Sequence, residues 1–112
     1  ESAVWYKLGK AQLDSNQVPE AIESYLKAED ATDYAEVIQA ATREENFEEL
    51  VRYLVMARAK HKDVLIDTEL VYAYAKTDRL ADMEEFISGT NTANSLQIGD
   101  RLYEEQAYKA RA

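Results

Sequence analysis

The chain has 112 residues, 46% of them hydrophobic, and its 22 acidic against 13 basic side chains leave a net charge of −9. That length fits one domain; three Gly and one Pro leave helices almost uninterrupted, and no apolar run approaches the ~20 residues of a membrane span. An acidic balance of this size repels phosphate backbones and anionic lipid, so neither nucleic-acid binding nor direct membrane insertion is expected, and the lack of cysteine removes disulfide frameworks and thiolate metal sites.

The N-terminus, Glu1-Ser2-Ala3-Val4-Trp5, has neither the basic start nor the apolar stretch of a signal peptide, which makes a cytosolic origin the default expectation. A first helical pair is predicted over residues 2–29. Its second helix starts at Val18, with Ala21, Ile22, Tyr25 and Leu26 at i+3, i+4, i+7 and i+8, and Pro19 and Glu20 suit a first turn. A second pair covers residues 32–60. There Phe47, Leu50, Val51, Leu54 and Val55 make the strongest amphipathic face of the chain, and Asn46 with Glu49 reads as a variant capping box.

The third pair, residues 63–88, has a weaker second helix from Leu80 (Met83, Glu84, Ile87, Ser88), with Asp78 placed to cap near Arg79. Loops fall near Asp14 to Gln17, Glu29 to Ala31, Glu44 to Glu45, Lys60 to Lys62, Thr77 to Asp78 and, longest, Gly89 to Asn94. A fourth pair is expected over residues 94–112, its second helix starting at Tyr108.

The starts at 18, 47, 80 and 108 are 29, 33 and 28 residues apart, and ten positions upstream of each stands an aliphatic residue: Leu8, Val37, Leu70 and Ile98. Apolar residues also lie off the main stripes, as Tyr53, Met56 and Tyr74 do, so each helix needs neighbours on more than one side. The expected architecture is all-α: a single right-handed α-α superhelix over residues 1–112, an α-solenoid of helix-turn-helix repeats. A compact four-helix bundle would use fewer, longer helices with one stripe each. Neither terminus carries a polar capping helix, so the chain reads as a fragment of a longer array whose exposed end faces favour self-association.

Trp5, Leu8, Gly9, Ala21, Tyr25 and Ala28 occupy positions of the tetratricopeptide pattern, but a strict period of about 34 residues would start the next unit at Gln39, inside the helix of residues 34–42. The fold is therefore TPR-like without being a tetratricopeptide array. Val4-Trp5 with Lys10-Ala11-Gln12-Leu13, Glu20-Ala21-Ile22-Glu23-Ser24-Tyr25, Glu48-Glu49-Leu50-Val51-Arg52-Tyr53-Leu54, Thr68-Glu69-Leu70, Ala75-Lys76-Thr77-Asp78-Arg79-Leu80 and Gly99-Asp100-Arg101-Leu102-Tyr103-Glu104-Glu105, in that order, closely resemble the clathrin heavy chain repeat family. The resemblance covers essentially the whole chain and departs at Tyr6, Gly9 and Lys60-His61-Lys62.

What the resemblance implies is a segment of the clathrin heavy chain leg, in its proximal part near the knee, packing against other heavy chain legs in the coat on the cytoplasmic face of coated pits and coated vesicles. It also implies a light chain as a possible partner, with no site placed. Two alternatives stand beside it. One is a segment of a vacuolar-sorting tethering protein. The other is a tetratricopeptide-type adaptor clamping an acidic peptide with Lys and Asn side chains.

Catalytic, metal and cofactor sites are not expected, and the chain is not read as an enzyme. The only imidazole, His61, falls between Lys60 and Lys62 in a loop, where a solvated surface role suffices. Glu48-Glu49 and Glu84-Glu85 are adjacent in sequence and so do not share a helix face as ligands at i, i+4 would. Eight tyrosines, Trp5, Phe47 and Phe86 read as filling between stacked helices. The basic run Arg58-Ala59-Lys60-His61-Lys62 reads as cations at a helix C-terminus.

Overall fold

The structure, a computed structural model, describes residues 1–89, 91–93 and 95–111. Most of them are helical: α1 (Ser2–Asp14), α2 (Val18–Ala28), α3 (Tyr34–Arg43), α4 (Phe47–Lys60), α5 (Val64–Lys76), α6 (Leu80–Ser88) and α7 (Ser95–Arg111). The short connections make α1–α2, α3–α4 and α5–α6 antiparallel pairs, and contacts run from each pair to the next through α2–α3, α2–α4, α4–α5 and α5–α7. The second helices begin at Val18, Phe47 and Leu80, where the periodicity puts them.

The fourth start differs. Tyr108 lies inside α7, which runs unbroken to Arg111. Ile98, Leu102 and Glu105 follow at i, i+4, i+7 on one face, and no Gly or Pro stands between Glu105 and Arg111 to break the helix. Thr90 and Asn94 of the expected long loop, and Ala112, lie outside the described residues.

The turns solve a problem that the near absence of glycine creates. Asn16, Glu29, Glu45 and Asp78 are all left-handed, with φ of 61°, 51°, 58° and 57°. After each, the next N–H reaches back five residues: Gln17 to the Gln12 carbonyl (2.8 Å), Asp30 to Tyr25 (3.3 Å), Asn46 to Ala41 (2.8 Å) and Arg79 to Tyr74 (2.9 Å). This is the Schellman ending, which satisfies carbonyls that the helix leaves open. Asp78 is thus used to stop α5, and Arg79 holds the N-cap position of α6 instead. Asn46 stands at the N-cap of α4 as read, but its side chain makes no capping bond, so the capping box does not form. Asp63 does cap: it accepts from the Leu65 N–H at 2.9 Å at the head of α5.

The core runs along α2, α4 and α5. Ile22, Tyr25, Leu50, Tyr53, Leu54, Ile66, Leu70 and Tyr72 are buried. On α4, Phe47, Leu50, Val51 and Leu54 are buried as the pattern requires, but Val55 is 49% exposed and Tyr53 points inward instead. Helix α5 is buried on every side from Ile66 to Tyr74, the mark of a helix sandwiched between neighbours before and behind. The flanks differ from this centre: Leu8 is 42% exposed and α6 has no buried residue. On α1 the position that meets α2 is Gly9, where an added Cβ would stand 3.3 Å from Ser24 Cβ and 3.3 Å from Tyr25 Cδ1. Its missing side chain lets the two helices approach.

Candidate functional site

Successive pairs are joined by buried or half-buried polar clasps. Between the first and second pairs, Asp33 at the head of α3 accepts from the buried Tyr25 hydroxyl at 2.8 Å and from the Tyr6 hydroxyl at 3.1 Å. Tyr6, Tyr25 and Tyr53 continue this as a ladder of edge-to-face rings with centroids 5.8 and 6.0 Å apart. Between the second and third pairs the same device recurs, with the Tyr34 hydroxyl of α3 donating to the Asp63 carboxylate that caps α5. That bond, with the Leu65 N–H, holds the Asp63 carboxyl below its ordinary range. On the second helices, Arg52 of α4 pairs with Glu23 of α2 at the surface.

The third junction is ionic. Arg101 of α7 donates to Glu69 of α5 at 2.9 Å and lies 3.5 Å over the Tyr72 ring, while Glu105 accepts from Lys76 Nζ at 3.1 Å and from the Tyr72 hydroxyl. Burial pushes the Glu105 carboxyl up, but these bonds outweigh it and its titration falls below the usual range. Burial also raises the Tyr72 hydroxyl, to about 12. Asp67, 6% exposed, accepts from Arg58 Nε at 2.9 Å, from the Thr92 N–H at 2.8 Å and from the Thr92 hydroxyl at 3.0 Å. The carboxylate therefore ties α4 and the segment leading to α7 onto α5, and its bonds overcome desolvation to hold its titration low.

The residues singled out in the sequence do not converge. His61 terminates α4 with its ring 5.3 Å from that of Tyr34, so it is half-buried and not a freely solvated side chain. Glu48 and Glu84 are exposed on separate helices, and among the described residues no group of His, Asp and Glu has metal-site geometry. Of the eight tyrosines, Tyr103 and Tyr108 are exposed at 70% and 75%, while the rest are buried or half-buried in helix contacts.

A groove of about 670 Å³ lies between α7 and the α3–α4 turn, lined in part by Phe47, Tyr72, Lys76, Arg101, Tyr108 and Lys109. Lys76 and Arg101 are committed to Glu105 and Glu69, and no Asn lines the groove, so the Lys and Asn clamp of a peptide adaptor is not assembled there. No helix among the described residues is long and apolar enough to cross a membrane. The residues that sequence reasoning missed are the buried acids Asp33, Asp67 and Glu69. Nothing in the sequence separates them from the other acids of the chain, and only a partner from a neighbouring pair marks each one out.

A row of helical pairs whose central helices are covered before and behind, and whose junctions are stapled by side chains from neighbouring pairs, is an α-solenoid. Residues 25–112 match a family model described as "Clathrin: Region in Clathrin and VPS". The chain is 49% identical over 98% of its length to clathrin heavy chain 2 of Homo sapiens and 51% identical over 98% to the clathrin heavy chain of Drosophila melanogaster. It is 49% identical over 96% of its length to the probable clathrin heavy chain of Schizosaccharomyces pombe. This chain belongs to the clathrin heavy chain family. It spans only 6–7% of the length of those relatives.

Proposed function

We propose that the chain is a structural segment of a clathrin heavy chain leg, a non-catalytic part of a longer solenoid that packs side by side with other legs in a vesicle coat. The observation that carries this reading is the clasped stack: each junction between pairs is tied by side chains from both sides, Tyr6 and Tyr25 to Asp33, Tyr34 to Asp63, and Arg101 to Glu69. Such ties stiffen a rod along its length, and a stiff rod turns many weak lateral contacts into a strong, reversible assembly because one contact fixes the position of the next. The near-50% identity over almost the whole chain to named heavy chains supports the same assignment.

On this reading the parent chain continues on both sides, the segment lies in the proximal leg toward the knee, its partners are other heavy chains with a light chain possible, and it works at the cytoplasmic face of coated membranes. The test is electron cryomicroscopy of coats assembled from the full-length heavy chain with a compact tag inserted at Asn16. Tag density on the proximal strut is the expected result. Tag density at the distal end of the leg, or failure of the full-length chain to form coats, would refute the assignment.

A further inference from the structure

Repeat positions shared by the first helices α1, α3, α5 and α7 tell which neighbours each helix has. At the aliphatic position, Leu8 is 42% exposed while Val37, Leu70 and Ile98 are buried. One residue further on the order reverses: Gly9, Ile38 and Val71 are buried and Gly99 is exposed. Four residues beyond that, Leu13, Thr42 and Ala75 are half-buried, but Tyr103 is 70% exposed. The bare side of α7 is therefore the side that the other three first helices have covered.

On α1 the cover is α2. A Cβ added at Gly9 would stand 3.3 Å from Ser24 Cβ, 3.3 Å from Tyr25 Cδ1 and 3.4 Å from the Ala21 carbonyl oxygen, whereas one added at Gly99 would meet nothing within 4 Å. Glycine weakens a helix interior and is used there where a neighbour must come close. Gly9 has that use, and among the described residues Gly99 has none. Leu96, three residues before Gly99, and Tyr103, four residues after, share its face and are 76% and 70% exposed. An apolar face around an empty glycine is the imprint of a helix that packs there.

We propose that Leu96, Gly99 and Tyr103 seat the helix that follows α7 in the parent chain, which crosses Gly99 at close backbone distance as α2 crosses Gly9. This rests on the leg reading above and deepens it, since it makes α7 the first helix of a fourth pair. The chain spans only 6–7% of the length of its relatives, and on the leg reading the continuing chain supplies the segment. Gly9 meets Ser24 and Tyr25, fifteen and sixteen residues on. The same spacing from Gly99 falls beyond residue 112, and α7 itself runs to Arg111, so the covering residues belong to the chain that follows. The seat accepts an amphipathic helix with a small or aromatic side chain at the crossing, as Ser24 and Tyr25 are on α2.

The experiment is hydroxyl-radical footprinting, read by peptide mass spectrometry, of the full-length heavy chain carrying this segment, purified alone and kept below its assembly concentration. Tyr103 should oxidise about fivefold more slowly than in the unfolded chain, as a 70% exposed ring becomes a packed contact. Leu96 should be protected with it. Gly99→Leu should raise Tyr103 oxidation about twofold, because the added side chain holds the covering helix away. Tyr103 oxidised as fast as in the unfolded chain would overturn the proposal, as would protection that fades on dilution, which would mean that a second copy covers the face. Protection unchanged in Gly99→Leu would also overturn it, since the cover would then not approach Gly99. Coat formation by the same unaltered protein reads the leg assignment separately: coats from a chain with Tyr103 unprotected overturn this contact alone, and no coats overturns the leg reading.

Discussion

Asp33 offers the most direct test of the clasps. Its carboxylate is 8% exposed and accepts two phenolic hydroxyls, one from the fully buried Tyr25 at 2.8 Å and one from the half-buried Tyr6 at 3.1 Å. In Asp33→Ala the Tyr25 hydroxyl loses a charged acceptor and cannot reach water, which costs roughly 1.5–3 kcal/mol, whereas water replaces most of what Tyr6 loses, at roughly 0.5 kcal/mol. The sum, about 2–3.5 kcal/mol, is a large share of the ~5–15 kcal/mol that holds a domain of this size together.

A urea melt should therefore move its midpoint down by about 1–2 M at an unchanged slope. Tyr25→Phe should cost about 1–2 kcal/mol, because it leaves Asp33 with one donor. In the double variant the two losses should overlap by about 1–2 kcal/mol, since they break the same bond. If the single effects add to within about 0.5 kcal/mol, the two groups are not coupled and the clasp argument fails.

Glu29→Gly should raise stability by roughly 0.5–1 kcal/mol, since the left-handed conformation at φ 51° strains a side chain by ~1–2 kcal/mol while Gly returns part of that in unfolded-state entropy. A thermal melt no higher than that of the unaltered chain would count against the strain. Gly9→Ala should be close to neutral, helix propensity offsetting the 3.3 Å contacts, and Gly9→Val should destabilise by about 1–3 kcal/mol; equal melting of the two variants would mean that α1 and α2 are not closely apposed there. Tyr53→Phe should be neutral or slightly stabilising, because the buried Tyr53 hydroxyl has no hydrogen-bond partner among the described residues; a loss above about 1 kcal/mol would reveal a partner.

Acid should weaken the fold through Asp63, Asp67 and Glu105, all titrating below their ordinary ranges. A depressed carboxyl stabilises fully above its unfolded value near pH 4 and loses that contribution as pH falls through the lower folded value, so the urea midpoint should be flat above about pH 5 and fall below about pH 4. Asp67→Asn should flatten that fall; an unchanged pH profile would place the acid sensitivity elsewhere.

The chain's order of helices was legible because it rests on local physics. Apolar residues at i, i+3, i+4 and i+7 place the starts at Val18, Phe47 and Leu80, and the scarcity of breakers leaves long helices as the default. The same reasoning misjudged the ends and the edges. Asp78 looks like a cap, but stopping α5 without a glycine takes its backbone into the left-handed region and moves the cap to Arg79. Tyr108 looks like a new start, because a pattern match cannot see that α7 runs unbroken through it to Arg111.

Val55 and Tyr53 sit two residues apart on the same helix, and which of them is buried depends on where the next helices stand. Periodicity also decided that these helices must stack, since apolar residues on several faces cannot be covered within one pair. Only the tertiary structure decided which acids do the joining. Asp33, Asp67 and Glu69 are indistinguishable in sequence from the many solvated carboxylates of this acidic chain, and they become buried ties because a tyrosine or an arginine from another helix, 8 to 32 residues away, arrives within 2.8–3.1 Å.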